Sequence, residues 1–121
     1  MNPKHAAVPS VSDESTKRVW QILEATTDCV LVLNKDWNFT FLNSKAVAMI
    51  AQGQDLIGRS VWEVFPDALG TPFETHYRQA FQDKLPVSFE EFYPGLGILF
   101  EIHANPSGDD LVVFFRDVTE Q

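Results

Sequence analysis

Hydrophobic spacing along this chain switches between a helical and a strand period, and the switches divide it into elements. Residues 1–12 mix Pro, Ser and Ala without periodicity and predict a flexible leader. From Asp13 the spacing is helical: Asp13 and Glu14 suit a first turn, and Val19, Ile22, Leu23 and Thr26 follow one face with Trp20 on its flank, predicting an amphipathic helix over 13–26. The run "DCVLVLNKDWNFTFLN" then sets two apolar stretches around Asn34, Lys35, Asp36 and Trp37, which predicts strands over 28–34 and 38–43 joined as a hairpin. Ser44 is placed to cap a helix carrying Val47, Ile50 and Ala51 and ended by Gly53. Ser60 and Glu63 have capping-box spacing for a short helix before Pro66. The strongest helix start is Thr71, followed by Pro72 at the first helical position and Glu74 at the third. That helix puts Phe73, Tyr77, Ala80 and Phe81 on one face, pairs Glu74 with Arg78 outside, and ends at Lys84, Leu85 and Pro86.

After Pro86 the period is that of strands. "VSFEEFY", "GILFEIHA" and "LVVFFRDV" are separated by the turn-forming "PGLG" and "NPSGDD" and predict three antiparallel strands. In the second of these Ile98, Phe100, Ile102 and Ala104 share one face, and Leu99, Glu101 and His103 the other. The last strand differs, because Val113 and Phe115 point one way while Val112 and Phe114, equally apolar, point the other. Exposing Phe114 would forgo roughly 1.5 to 3 kcal/mol of burial, so its outer face needs a cover. The internal helices of 44–84 reach only the inner face, which leaves the 13–26 helix or a partner subunit; a strand covered by its own chain alone is the simpler alternative.

Composition narrows the function classes. At 121 residues there is room for one domain, divided here into the leader 1–12 and a domain over 13–121 with its core in 28–119. Nine Lys and Arg against seventeen Asp and Glu give a net charge of -8, which argues against nucleic acid and anionic membrane surfaces as partners. The lone Cys29 forms no internal disulfide and builds no multi-cysteine metal site, which fits a reducing, cytoplasmic setting. No apolar run approaches the roughly 20 residues that span a bilayer, and the N-terminus lacks a signal-peptide core. Glu90 and Glu91 are adjacent in a strand, point to opposite faces, and make no acid and base pair. The sequence thus predicts no catalytic site, metal site or cofactor. The apolar inner face suits either a plain core or a pocket for a small apolar ligand of unknown identity, with Leu31, Leu33, Ile50, Phe65, Tyr77, Phe81, Phe100, Ile102, Val113 and Phe115 as its wall.

The stretches "ATTDCVLVLNKDWNFTFLN", "LIGRSVWEVFP" and "FEEFYPGLGILFEIHANPSGDDLVVFFRDVTEQ", in the order two strands, short helices, three strands, resemble PAS domains of bacterial histidine kinases and related signalling proteins over about residues 16–121. The most specific piece is "FRDVTEQ", similar to the Asp, Ile or Val, Thr ending at which such domains pass their last strand to an output helix; Val118 replaces the commoner Ile. The resemblance implies an α+β PAS fold: a five-stranded antiparallel sheet with short helices on one face and the N-terminal amphipathic helix. It implies a non-enzymatic input domain, in a histidine kinase of a two-component phosphorelay or a similar regulator, that relays ligand or partner binding to an output domain outside this chain. In that role Asp117 and Thr119, two apart on one side of a strand, bond each other or the base of the N-terminal helix and couple the core to the exit; otherwise they are ordinary end-of-strand polar residues. A homodimer through Val19, Trp20, Ile22, Leu23 and Phe114 is the assembly expected.

Among His5, His76 and His103 none is followed by the acidic residue expected of a phospho-accepting histidine, and no phosphate-cradling glycine loop is present, so any kinase lies elsewhere. "SGDDL" at 107–111 is a turn, lacking the remaining residues of a cyclase motif. The reactive-cysteine run of flavin-binding relatives is missing, and Cys29 sits in an apolar strand as a small hydrophobe. The alternative reading is a haem-based gas sensor using His76, since some relatives ligate iron from the long helix; a structural histidine bordering the core is the simpler account.

Overall fold

The structure is a computed structural model that describes Gln21 and residues 28–120. Five strands, β1 (Cys29–Leu33), β2 (Phe39–Leu42), β3 (Val87–Tyr93), β4 (Ile98–Ser107) and β5 (Asp110–Asp117), form one sheet in the order β2-β1-β5-β4-β3. Every pairing is antiparallel, as the strand pattern predicts. Between β2 and β3 run α1 (Ser44–Ala46), a π-helical turn (Val47–Ala51), α2 (Val61–Val64), a 3₁₀ turn (Pro66–Ala68) and the long helix α3 (Pro72–Asp83). The fold is α+β, with these short helices packed on one face of the sheet.

The ends of these elements follow from local chemistry. Asn34 closes the β1–β2 hairpin by accepting from Asp36 N at 2.9 Å and Asn38 N at 3.0 Å. The turn forces Trp37 to φ 67°, a left-handed backbone that a bulky residue adopts only when its surroundings hold it. Thr71 caps α3 with Oγ1 accepting from Phe73 N, and Pro72 fills the first position. Glu74 reaches one residue further back than a capping box requires, accepting from Gly70 N at 2.8 Å while bonding Arg78 at 2.7 Å.

One cap differs from the sequence expectation. The residue that starts α1 is Asn43, whose Oδ1 accepts from Ala46 N at 2.9 Å; Ser44 is already inside the helix. Asn43 prevails because its longer side chain also serves β1: Oδ1 accepts from Val30 N at 3.1 Å and Nδ2 donates to Asp28 O at 3.0 Å. It is fully buried, a polar clamp between the first strand and the first helix.

The core lies between the sheet and the helices. Cys29, Leu31 and Leu33 from β1, Phe100, Ile102 and Ala104 from β4, and Leu111, Val113 and Phe115 from β5 point into it, against Ile50, Phe73, Tyr77 and Ala80 from the helices. On the outer face Val30 and Val32 of β1 are also buried, whereas Val112 and Phe114 of β5 are half-buried. Beside them the face turns polar: Glu101 accepts from His103 Nε2 at 3.0 Å and from Arg116 at 3.2 Å, and Ser88 bonds His103 Nδ1 at 2.8 Å. The 13–26 helix expected from the sequence, with Val19, Trp20, Ile22 and Leu23, lies outside the described residues apart from Gln21. Among the described residues no helix is long and apolar enough to cross a membrane.

Truncating Asn43 strands the buried Val30 and Ala46 amides together. Asn43→Ala should therefore cost about 2 to 4 kcal/mol and lower the thermal midpoint by roughly 10 to 20 °C, read by circular dichroism, while Ser44→Ala should change it little.

Candidate functional site

The inner face of the sheet is not completely filled. A cavity of about 60 Å³ lies between the sheet and the helices. Of the wall expected from the sequence, Leu31, Ile50, Phe65, Tyr77, Phe100, Ile102 and Phe115 line it. Leu33 and Val113 are buried in the packed core beyond it, Leu33 opposite Leu111, and Phe81 stands aside with its ring edge-on to Trp37 at 5.3 Å. The sequence pattern identified an inner face, and the cavity occupies only one end of it.

The other lining residues come from the connections. The segment 57–61 runs along the outer edge of β2: Gly58 N donates to Phe39 O at 2.8 Å, Phe39 N to Arg59 O at 2.9 Å, and Val61 N to Trp37 O at 2.8 Å. These bonds fix α2, whose Ser60 cap accepts from Trp62 N at 3.2 Å, and so bring Val61 and Trp62 to the cavity wall. Phe39, Ala68, Phe73, Tyr93 and Leu96 complete it. Phe73 already stood on the buried face of the long helix, and Tyr93 on the face that alternation from Phe89 assigns to the interior. Nothing periodic marks Trp62, Ala68 or Leu96, which sit in elements of four residues or fewer or in a turn.

An aromatic shell holds the wall. Phe73 meets Phe89, Tyr93 and Phe100 edge-on at 5.9, 5.8 and 6.4 Å, and Phe65 meets Tyr93 at 5.6 Å. Trp62 lies 5.4 Å from Trp37 and 6.2 Å from Tyr77, and the Arg78 guanidinium, held by Glu74, lies over Trp62 at 5.1 Å and Trp37 at 5.3 Å. The cavity surface is almost entirely carbon. Among the described residues Trp62 Nε1 is a buried side-chain nitrogen with no hydrogen-bond partner. Burial raises the Tyr77 phenol far above its ordinary range, so this hydroxyl keeps its proton.

A second hollow, of about 210 Å³, adjoins the cavity across Ile50, Phe65, Tyr93 and Leu96 and adds the polar Gln52, Gln54 and Asp67. The π-helical turn and the left-handed Gln52 shape one side of it, and the hairpin tip with Gly95 the other. Gly95 lies against the Tyr93 ring, where a Cβ would come within 2.7 Å of it.

The remaining candidates lie elsewhere. His76 is on the flank of α3, its ring stacked on Phe89 at 4.2 Å and its Nδ1 2.8 Å from Pro72 O; a carbonyl only accepts, so Nδ1 carries the proton. It does not line the cavity. Among the described residues no cluster of metal-ligating side chains occurs. At the chain's far end Asp117 Oδ1 accepts from both N and Oγ1 of Thr119. These two bonds hold the Asp117 carboxyl below its usual range. Thr119 Oγ1 accepts in turn from Leu99 N at 2.9 Å, and Val118 N donates to Leu99 O at 2.9 Å. The end of β5 is thereby bonded to the residue next to Phe100, whose ring lines the cavity 5.7 Å from that of Phe115.

The chain belongs to the family of the PAS fold, whose sequence model matches residues 23–121. Solved structures agree. A PAS domain of an HTR-like protein from Haloarcula marismortui is similar at 23% identity with a TM-score of 0.62, covering 87% of this chain and 98% of that one. A sensory box sensor histidine kinase from Vibrio cholerae is similar at 14% identity and a TM-score of 0.63, covering 91% and 99%. The PAS domain of the RpfR quorum-sensing receptor from Cronobacter turicensis, in complex with C12:0, is similar at 15% identity and a TM-score of 0.63, covering 78% and 96%. Among curated proteins none matches the chain.

Beside the cavity Cys29 is buried, its Sγ 4.0 Å from Met49 Sδ, and burial, reinforced by Asp28, pushes the thiol up to about 11. Native protein at pH 8 should leave Cys29 unmodified by Ellman's reagent, while the urea-unfolded chain reacts completely. The folded thiol holds its proton more tightly than the unfolded one, so its share of stability is present below about pH 9 and is lost as pH rises towards 11. The fall of the urea midpoint over that window should be shallower in Cys29→Ala.

Proposed function

We propose that this domain is the sensory input module of a histidine kinase or similar signalling regulator, in which occupancy of the inner cavity is transmitted through the end of β5 to an output helix and output domain following this chain. The domain itself carries no catalysis in this reading. The observation that carries the reading is the continuous link from the cavity to the exit. Phe100 and Phe115 line the cavity; Leu99, next to Phe100, is gripped on both its N–H and C=O by Thr119 and Val118; and Asp117 fixes the Thr119 hydroxyl. A ligand that displaces Phe100 or Phe115 therefore bears on the bonds that aim the chain beyond Val118. Membership of the PAS family and the likeness to PAS domains of sensor kinases support it.

In the same reading the domain works as a cytoplasmic homodimer through its outer face, contributed by Phe114 and by Val19, Trp20, Ile22 and Leu23. Phe92 is 48% exposed on that face and is paired with Leu99, giving apolar surface at the sheet's other side. Measuring mass in solution tests the assembly: wild type should run as a dimer and Phe114→Asp as a monomer, and a strictly monomeric wild type removes it.

The relay is tested in a chimera in which this chain replaces the PAS domain of a sensor histidine kinase. Thr119→Val and Asp117→Asn should each change autophosphorylation by roughly 5-fold or more, the low end of ordinary allosteric coupling, with little loss of thermal stability. Rates identical to wild type in both variants would discard the relay. Because Asp117 is held below its usual range, the lock contributes above that range, near pH 3.8, and is lost as pH falls through the depressed value. Exchange of the Leu99 amide should accelerate over that acid window in wild type but not in Asp117→Asn.

A further inference from the structure

Beyond the sensor reading, and without resting on it, we propose that Ser88 on the outer face of the sheet is an acylation site: His103 and Glu101 activate its hydroxyl to take a short acyl group from an uncharged thioester or activated ester.

Strand register brings the three side chains together. Ser88 of β3 stands directly opposite His103 of β4, and Glu101 precedes His103 by two residues on the same face. Ser88 Oγ lies 2.8 Å from His103 Nδ1, and His103 Nε2 lies 3.0 Å from Glu101 Oε2. A carboxylate only accepts, so Nε2 carries the ring proton. In the neutral ring Nδ1 then offers a lone pair, and the Ser88 hydroxyl donates to it. Nucleophile, base and orienting acid thus follow one another at hydrogen-bond distance, the arrangement that makes a weak hydroxyl reactive. Bonds from His103 and from Arg116, the latter at 3.2 Å, keep the Glu101 carboxyl below its usual range. The hydroxyls of Ser60 and Thr71, by contrast, serve as helix caps.

The step balances without a further reagent. Ser88 Oγ attacks the acyl carbonyl carbon while its proton passes to His103 Nδ1, and Glu101 faces the imidazolium that forms. The tetrahedral adduct then breaks its bond to the leaving thiolate or alkoxide, which takes the proton from Nδ1. The products are an acyl ester on Ser88 Oγ and a free thiol or alcohol. Access suits such a donor: β3 is the outermost strand, Ser88 is exposed, and the His103 side chain is 45% exposed. The surroundings select its class. Glu90 lies on the same face two residues from Ser88, opposite Glu101, and the chain carries a net charge of -8, so a phosphate-bearing acyl donor is repelled and an uncharged one is not. Phe114, half-buried, stands opposite His103 on its other side and gives a short acyl chain an apolar neighbour.

The test treats the full chain with p-nitrophenyl butyrate and with the butyryl thioester of N-acetylcysteamine, and locates adducts by peptide mass spectrometry. Ser88 should gain a butyryl ester, removable by hydroxylamine, roughly 100-fold faster than in the urea-unfolded chain, the low end of what a positioned general base supplies. Ser88→Ala should abolish this adduct and His103→Gln should bring its rate to the unfolded level, each with an unchanged thermal midpoint. Nitrogen shifts of the His103 ring read the part of Glu101 independently: wild type should show Nε2 protonated and Nδ1 bare, and Glu101→Gln a mixture of tautomers together with slower acylation. Labelling on lysines alone, Ser88 labelling equally fast in His103→Gln or in the unfolded chain, or a wild-type ring protonated at Nδ1 and bare at Nε2 each overturns the proposal. If His103→Gln loses the folded spectrum, the ring shifts and the ratio of native to unfolded rates decide. A dilution series separates the site from the dimer: a Ser88 rate that rises on dilution keeps the site and puts it beneath the interface, and a rate independent of dilution keeps the site and puts it clear of any partner.

Discussion

The fold depends on β5 being apolar on both sides while paired along both edges. It lies at the middle of the sheet, with β1 against one edge and β4 against the other. Its inward residues Leu111, Val113 and Phe115 are all buried, and at roughly 1.5 to 3 kcal/mol each they are a large share of what holds the helices to the sheet. The first strand of the chain therefore cannot find its final neighbour until the last strand has formed. Hairpins β1–β2 and β3–β4–β5 are local in sequence, but the β1–β5 ladder that joins them spans the whole domain. The interior exists only once that long-range pairing closes, and with it the cavity.

Much of this was legible in the sequence because it is written in local signals. The two-faced pattern of "LVVFFRDV" marked a strand needing company on both sides, and Thr71 followed by Pro72 and Glu74 marked the start of the long helix; both stand where the pattern put them. The cap of the first helix was legible only to within one residue. Asn43 and Ser44 are both good caps, and what favours Asn43 is a bond to Val30, thirteen residues away, which no local reading contains. The 13–26 helix, expected with a partner subunit as the alternative cover of the outer face, lies outside the described residues apart from Gln21.

The cavity was legible as a face but not as a place. Alternation in strands and the helical period identify which side of an element is buried, and they supplied Leu31, Phe100, Ile102, Phe115 and Tyr77. They say nothing of depth, so they place Leu33 and Val113 on the wall, although both are buried in the core without lining the cavity. They are also silent where elements are too short to have a period. Trp62 is the clearest case: its position is set by the backbone bonds of 57–61 along β2, and its unpaired indole hydrogen emerges only when the surrounding carbon is in place.

The hairpin between β3 and β4 looks at first like an ordinary exposed turn. Gly95 gives it a different character, since the ring of Tyr93 occupies the space a side chain at position 95 would need. A side chain at this exposed site would therefore have to displace a buried ring, which accessibility alone does not foretell. A residue larger than glycine at this tip would press on an aromatic that also lines the hollow, which ties the loop mechanically to the chamber beside it.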